Sequence, residues 1–148
     1  MRQKRICIDF DGVIADYSQG FQGPGVYGEP LPGCAEALGR LRDDGWYIIV
    51  CTARRDAEVP HIKRYLDRHG IPHDDVTGRK PGAHTYIDDR AIRFDGDWRR
   101  TLIDVMDFEP YYYRDVEHYL QDANRSYLWH DAIICCEPST CRKENENG

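Results

Sequence analysis

The order of apolar runs and helical stripes predicts an α/β protein with a central parallel sheet. Three observations carry that expectation. Ile6-Cys7-Ile8 is a short apolar run with β-branched residues that stops abruptly at Asp9, Asp11 and Gly12. Trp46-Tyr47-Ile48-Ile49-Val50-Cys51 is a second such run, ending in Thr52-Ala53-Arg54-Arg55. Segments of helical length, with apolar residues at helical spacing, lie between and after these runs, so strands and helices alternate as βαβ units.

The elements follow in order. The first strand turns at Gly12, and a stretch rich in Gly, Pro and aromatic residues runs from Ala15 to Leu31. It cannot hold a regular helix and is too short for a separate domain, so it is either a lid over the carboxylates or a disordered surface loop. Pro32-Gly33 opens a helix whose stripe is Cys34, Ala37, Leu38 and Leu41, closed by Asp44-Gly45. After the second strand, a helix directs Val59, Ile62 and Leu66 inward and ends at Gly70, and Ile71-Pro72 leads to a short strand near Val76. Gly78-Arg79-Lys80-Pro81-Gly82 is a basic turn. Thr85-Tyr86-Ile87 reads as a further strand ending in Asp88-Asp89-Arg90, and Ile92-Arg93-Phe94 as a last strand with Asp95-Gly96-Asp97 as its turn. Beyond Trp98 the pattern is weaker. Pro110 suits a helix start, with Tyr112, Val116, Tyr119 and Ala123 on one face, and Tyr111-Tyr112-Tyr113 reads as a packing cluster.

Bulk properties narrow the function. A chain of 148 residues is long enough for one domain with a sizeable core. The net charge of −6 argues against a general electrostatic hold on nucleic acid or anionic membrane, although Arg54, Arg55, Arg79 and Lys80 are candidates for a local basic patch. No apolar run approaches the roughly 20 residues needed to span a bilayer, so no membrane insertion is expected. The basic start, Met1 to Arg5, leads into a strand ending in acids and does not read as a signal peptide. Two of the six cysteines fall in buried strands and one on an apolar helical stripe, which suits reduced thiols and a cytoplasmic setting. His130, Cys135, Cys136 and Cys141 match none of the usual structural-zinc spacings.

A parallel sheet gathers the carboxyl ends of its strands along one edge. That edge would hold Asp9 and Asp11, then Thr52 with Arg54, then Lys80, then Asp88 and Asp89. Acids crowded together repel unless a cation or proton separates them. A hard cation such as Mg²⁺ suits the carboxylates, and the cation, the lysine and the hydroxyl together suit a dianionic phosphate.

In this order, Asp9-Phe10-Asp11-Gly12-Val13, Val50-Cys51-Thr52-Ala53-Arg54, Lys80-Pro81 and Ile87-Asp88-Asp89 resemble the four motifs of the haloacid dehalogenase superfamily, over roughly residues 4–97. The resemblance implies a Rossmann-like, three-layer α/β/α sandwich and Mg²⁺-dependent phosphoryl transfer. It makes Asp9 the nucleophile and Asp11 the general acid and base. Dehalogenases of this family lack the second acid, which favours a phosphatase. Thr52, Ala53, Arg54 and Lys80 are then expected to bind the substrate, with Thr52 and Lys80 taking part in catalysis. The metal would be held by Asp9, the backbone carbonyl of Asp11, and Asp88, while Asp89 either supports the metal site or orients Lys80. Arg79 is a rival of Lys80, and Arg54 either touches the substrate or is a solvated residue at a helix start.

Neither gap between motifs has room for a cap domain. The expected organisation is therefore a capless core over residues 1–100, a partly helical extension over 101–141 packed on the core or at an oligomer contact, and a frayed polar tail over 142–148. An open site suits a phosphate on a macromolecule, a nucleic-acid end included although net charge does not support it, or a small substrate enclosed by homo-oligomerisation. The expected reaction is hydrolysis of a phosphomonoester through an aspartyl-phosphate. The alternatives are a phosphotransferase of the same superfamily and a non-catalytic phosphate-binding or regulatory module.

Overall fold

In the computed structural model of the chain, residues 3–113 are described. They comprise β1 (Arg5–Asp9), α1 (Cys34–Asp43), β2 (Tyr47–Cys51), α2 (Val59–Arg68), β3 (Asp75–Thr77), β4 (Thr85–Ile87) and α3 (Trp98–Met106). Short 3-10 turns at Asp56–Glu58 and Tyr111–Tyr113 complete the set. Two compact units divide between Asp89 and Arg90.

The first unit is the α/β Rossmann-like core that the sequence predicts. Its four strands pair in the order β3-β2-β1-β4, all parallel. The register sets Asp9 opposite Cys51 and Cys51 opposite Thr77, so the acid-bearing end of β1 lies level with the ends of its neighbours. Strands alternate their faces. Ile6, Ile8, Ile48, Val50 and Val76 accordingly form one buried cluster with Leu38 of α1 and with Ile62 and Leu66 of α2. Both helices pack on the same face, as two successive crossovers of one hand do when the strand order advances in one direction. This unit thus supplies the sheet and one helical layer of the expected sandwich.

The helices start and stop largely where the sequence indicates. Gly33 is the N-cap of α1, and Gly45 donates back to Arg42 O just past its end. After α2, Ile71 N–H reaches Leu66 O, closing the last turn. One stripe position differs from expectation. Ala37 is exposed, and Ala35 packs against the core beside Cys34, Leu38 and Leu41.

In the second unit the expected strand Ile92–Phe94 is not formed; these residues are irregular. Three alternating residues without an adjacent strand have no partner for their backbone groups, whereas Asp97 offers a helix its N-cap. The Asp97 carboxylate accepts from the N–H groups of Arg99 and Arg100, and α3 begins at Trp98. The expected helical face at Val116, Tyr119 and Ala123, together with His130, Cys135, Cys136, Cys141 and the 142–148 tail, lies outside the described residues.

Among the described residues no helix is long and apolar enough to cross a membrane. Cys7, Cys34 and Cys51 are free thiols. Burial pushes the Cys7 thiol up to about 12 and raises Cys34 and Cys51 as well, which makes all three poor nucleophiles.

Candidate active site

Asp9 is the last residue of β1, and the chain turns immediately beyond it. Phe10 is completely buried, and its carbonyl accepts from both Ile14 and Ala15. Gly12 sits at φ 85°, a left-handed conformation that a residue with a Cβ adopts at a cost, so the turn can follow directly on Asp11. Asp9 and Asp11 therefore leave the strand end in separate directions and acquire different partners.

Asp9 joins Asp88 and Asp89, which follow β4 on the neighbouring strand. One carboxylate oxygen from each of the three lies within 4.8 Å of the others. Burial, a hydrogen bond to Asp89 and the nearby Asp88 charge raise the Asp9 carboxyl to about 7. Three convergent carboxylates form the all-oxygen donor set that a hard divalent cation takes. The residues present fit Mg²⁺.

Asp11 faces Arg54 instead. Nε of Arg54 donates to Asp11 Oδ2 at 2.8 Å and its terminal NH2 donates to Oδ1 at 2.8 Å, a bidentate pair. The Arg54 side chain is only 6% exposed. Its guanidinium carbon lies 4.7 Å from the Tyr27 ring centre and 5.1 Å from that of Phe21, and NH1 donates to Gly23 O at 3.3 Å. Burial opposes the Arg54 charge, but the Asp11 carboxylate outweighs it and holds the guanidinium more firmly protonated than usual.

These contacts show what the Ala15–Leu31 stretch does. Its base is closed by Asp16 N–H to Glu29 O and Leu31 N–H to Ile14 O. Gly28 is required there, since a Cβ would come within 2.1 Å of Asp16 O. Tyr27 enters the core edge-on to Phe10 and Tyr65, and the Tyr65 hydroxyl donates to Gly28 O at 2.8 Å. From the 3-10 turn before α2, Glu58 accepts from Tyr27 OH at 2.7 Å and from Gly25 N–H at 2.9 Å, which lowers its carboxyl below the usual range. The stretch is an anchored loop, fastened to the β2–α2 turn by Arg54 and Glu58. Tyr17, Phe21 and Pro24 form one wall of a cavity of about 520 Å³, and Ala53, Arg55 and Ala57 help form the other, with Asp11 at its edge.

Thr52 is 1% exposed, and its Oγ1 accepts from Arg54 N–H at 3.0 Å. Its own O–H donates to no described residue. The basic turn comes to the same edge, where Cys51 Sγ donates to Arg79 O at 3.7 Å. The Lys80 ammonium lies over the Tyr86 ring at 4.9 Å and makes no ion pair among the described residues. Of the expected site residues, the structure thus groups Asp9, Asp88 and Asp89, pairs Asp11 with Arg54, joins Thr52 to the backbone of Arg54, sets Ala53 on the cavity wall and holds Lys80 over Tyr86. Phe21, Tyr27 and Glu58 join the site without having been expected; the aromatic content of the loop was the only sequence signal for Phe21 and Tyr27, and Glu58 carried none.

Four motif segments, in sequence order, lie at or beside one end of a parallel sheet ordered β3-β2-β1-β4. A conserved protein of Bacteroides thetaiotaomicron has the same fold: 21% identity, a TM-score of 0.50, and alignment over 75% of this chain and 98% of that one. The two share an α/β Rossmann-like fold. The chain is also similar to D,D-heptose 1,7-bisphosphate phosphatases, in alignments that span about half of each protein. The enzyme from B. bronchiseptica, complexed with magnesium and phosphate, is 27% identical over 49% of this chain and 48% of its own, with a TM-score of 0.37. The Burkholderia thailandensis enzyme is 27% identical over 49% and 50%, with a TM-score of 0.35. No protein-family model matches the chain, and no curated protein matches it.

Proposed function

We propose that this chain is a Mg²⁺-dependent phosphohydrolase that cleaves a phosphomonoester through an aspartyl-phosphate on Asp9. The observation that carries the reading is the convergence of Asp9, Asp88 and Asp89 within 4.8 Å. In the first step an Asp9 oxygen attacks phosphorus, the bond from phosphorus to the leaving oxygen breaks, and that oxygen takes a proton from Asp11. In the second, water attacks phosphorus and gives a proton to Asp11, the Asp9–phosphoryl bond breaks, and inorganic phosphate departs. The Thr52 hydroxyl donates to a phosphoryl oxygen through both steps. Lys80 adds positive charge once its ammonium leaves the Tyr86 face. Asp9, the Asp11 carbonyl and Asp88 would hold Mg²⁺, supported by Asp89; when bound, it offsets the charge of nucleophile and phosphate.

The cavity edged by Asp11 lies on the leaving-group side in this scheme, so the anchored loop supplies a wall that a capless core would otherwise lack. Its volume suits a small organic leaving group. The free thiols Cys7, Cys34 and Cys51 agree with a reduced, cytoplasmic setting. The test is phosphate release from a panel of phosphorylated small molecules, phosphopeptides and phosphorylated oligonucleotides, with Mg²⁺ and with chelator. Metal-dependent release, led by small substrates, is expected; no release from any compound overturns the reading.

A further inference from the structure

We infer that Arg54 is a positioning residue for Asp11, and not a ligand of the substrate's phosphate. The inference rests on the phosphohydrolase reading and deepens it. A guanidinium has five N–H donors. Three of those on Arg54 are already spent, two on Asp11 and one on Gly23 O. The group is almost entirely enclosed, close to the Phe21 and Tyr27 rings, and withdrawing it would leave the Asp11 charge without its partner. Arg55, the next residue, presents the contrast: exposed and without a partner among the described residues, it is the arginine of this wall that can meet an incoming anion.

The geometry also suits what Asp11 has to do. A carboxylate offers about four lone-pair sites over its two oxygens, and Arg54 uses one on each. The remaining sites are not used by Arg54, and Asp11 lines the cavity in which the leaving oxygen and later the attacking water would exchange a proton. An unpaired aspartate turns freely about its terminal torsion. The bidentate pair fixes that torsion. Because Arg54 also holds Gly23 O and contacts Phe21, the orientation of Asp11 and the placement of the cavity wall depend on one side chain.

The experiment compares kcat/KM for p-nitrophenyl phosphate, whose leaving oxygen departs without a proton, with that for an alkyl phosphate, whose leaving oxygen needs one. In Arg54→Ala the alkyl value should fall about 100-fold and the p-nitrophenyl value less than about 10-fold, the range set by loss of general acid catalysis. Added guanidinium ion should restore the alkyl rate. Asp11→Asn should show the same split, and Arg54→Ala should add nothing in that background. Arg54→Lys, which keeps one positive charge but not the two-point hold, should show the split as well and serves if Arg54→Ala does not fold. Equal losses on both substrates, or a raised KM with kcat kept, overturn the role of Arg54 alone. A wild-type chain inert toward every phosphate ester overturns the phosphohydrolase reading, and this inference with it.

Discussion

Replacing Asp9 with asparagine should stabilise the metal-free chain while abolishing its reaction. The Asp9 carboxyl is raised from 3.8 to about 7, by burial first and then by Asp89 and Asp88. Such a rise corresponds to about 4 kcal/mol against the charged form. Solvent reaches part of the group, and screening reduces the figure to about 2 kcal/mol. The sign follows from proton counts. Between the unfolded and folded values the native state binds more protons than the unfolded state, so stability declines as pH climbs from about 4 to about 7 and stays reduced above that. Asparagine carries no charge and does not suffer the decline. Urea unfolding in chelator should therefore show Asp9→Asn more stable than wild type by about 2 kcal/mol at about pH 8, with the gap closing toward about pH 4. Added Mg²⁺ should reverse the order, because the wild type gains a ligand set that the variant has damaged. An Asp9→Asn variant less stable than wild type in chelator near pH 8, or a gap independent of pH, would refute the electrostatic argument.

Other substitutions probe the rest of the site. Thr52→Val removes the O–H that the proposed reaction places on a phosphoryl oxygen, and with it the acceptor of Arg54 N–H, so kcat/KM should fall roughly 10- to 100-fold and about 1–3 kcal/mol should be lost in urea unfolding. Gly28→Ala sets a Cβ against the Asp16 carbonyl, which lies on the backbone and cannot move alone. A loss of about 1–3 kcal/mol in urea unfolding is expected. Tyr65→Phe deletes the bond to Gly28 O at 2.8 Å, and about 1 kcal/mol should be lost by the same assay, the usual net worth of such a bond.

The fold was legible where period and length agree. Ile6–Ile8 and Trp46–Cys51 are runs of strand length, and the Val59, Ile62, Leu66 spacing admits only a helix that buries one face. Ile92–Phe94 alternates like a strand, yet strands are made by neighbours and nothing in three residues reveals whether one is adjacent. Asp97 did carry a readable N-cap signal for α3. The acids of the site were legible because each follows an apolar run. The partner of Asp11 was not. Arg54 is 43 residues away in sequence, and the pairing depends on how far the β2–α2 turn and the loop close on each other. Lys80 shows the reverse: its place in a basic turn was readable, while the direction of its ammonium depends on Tyr86 of β4, six residues further on.

The central claim is a covalent phosphoryl group on Asp9. Rapid quenching of the wild-type chain during turnover of a radiolabelled phosphomonoester with Mg²⁺, followed by peptide mapping, tests it most directly. The account predicts an acid-stable, hydroxylamine-sensitive label on the peptide carrying Asp9, absent from Asp9→Asn. Steady turnover with no label on Asp9, and undiminished turnover by Asp9→Asn, would contradict it.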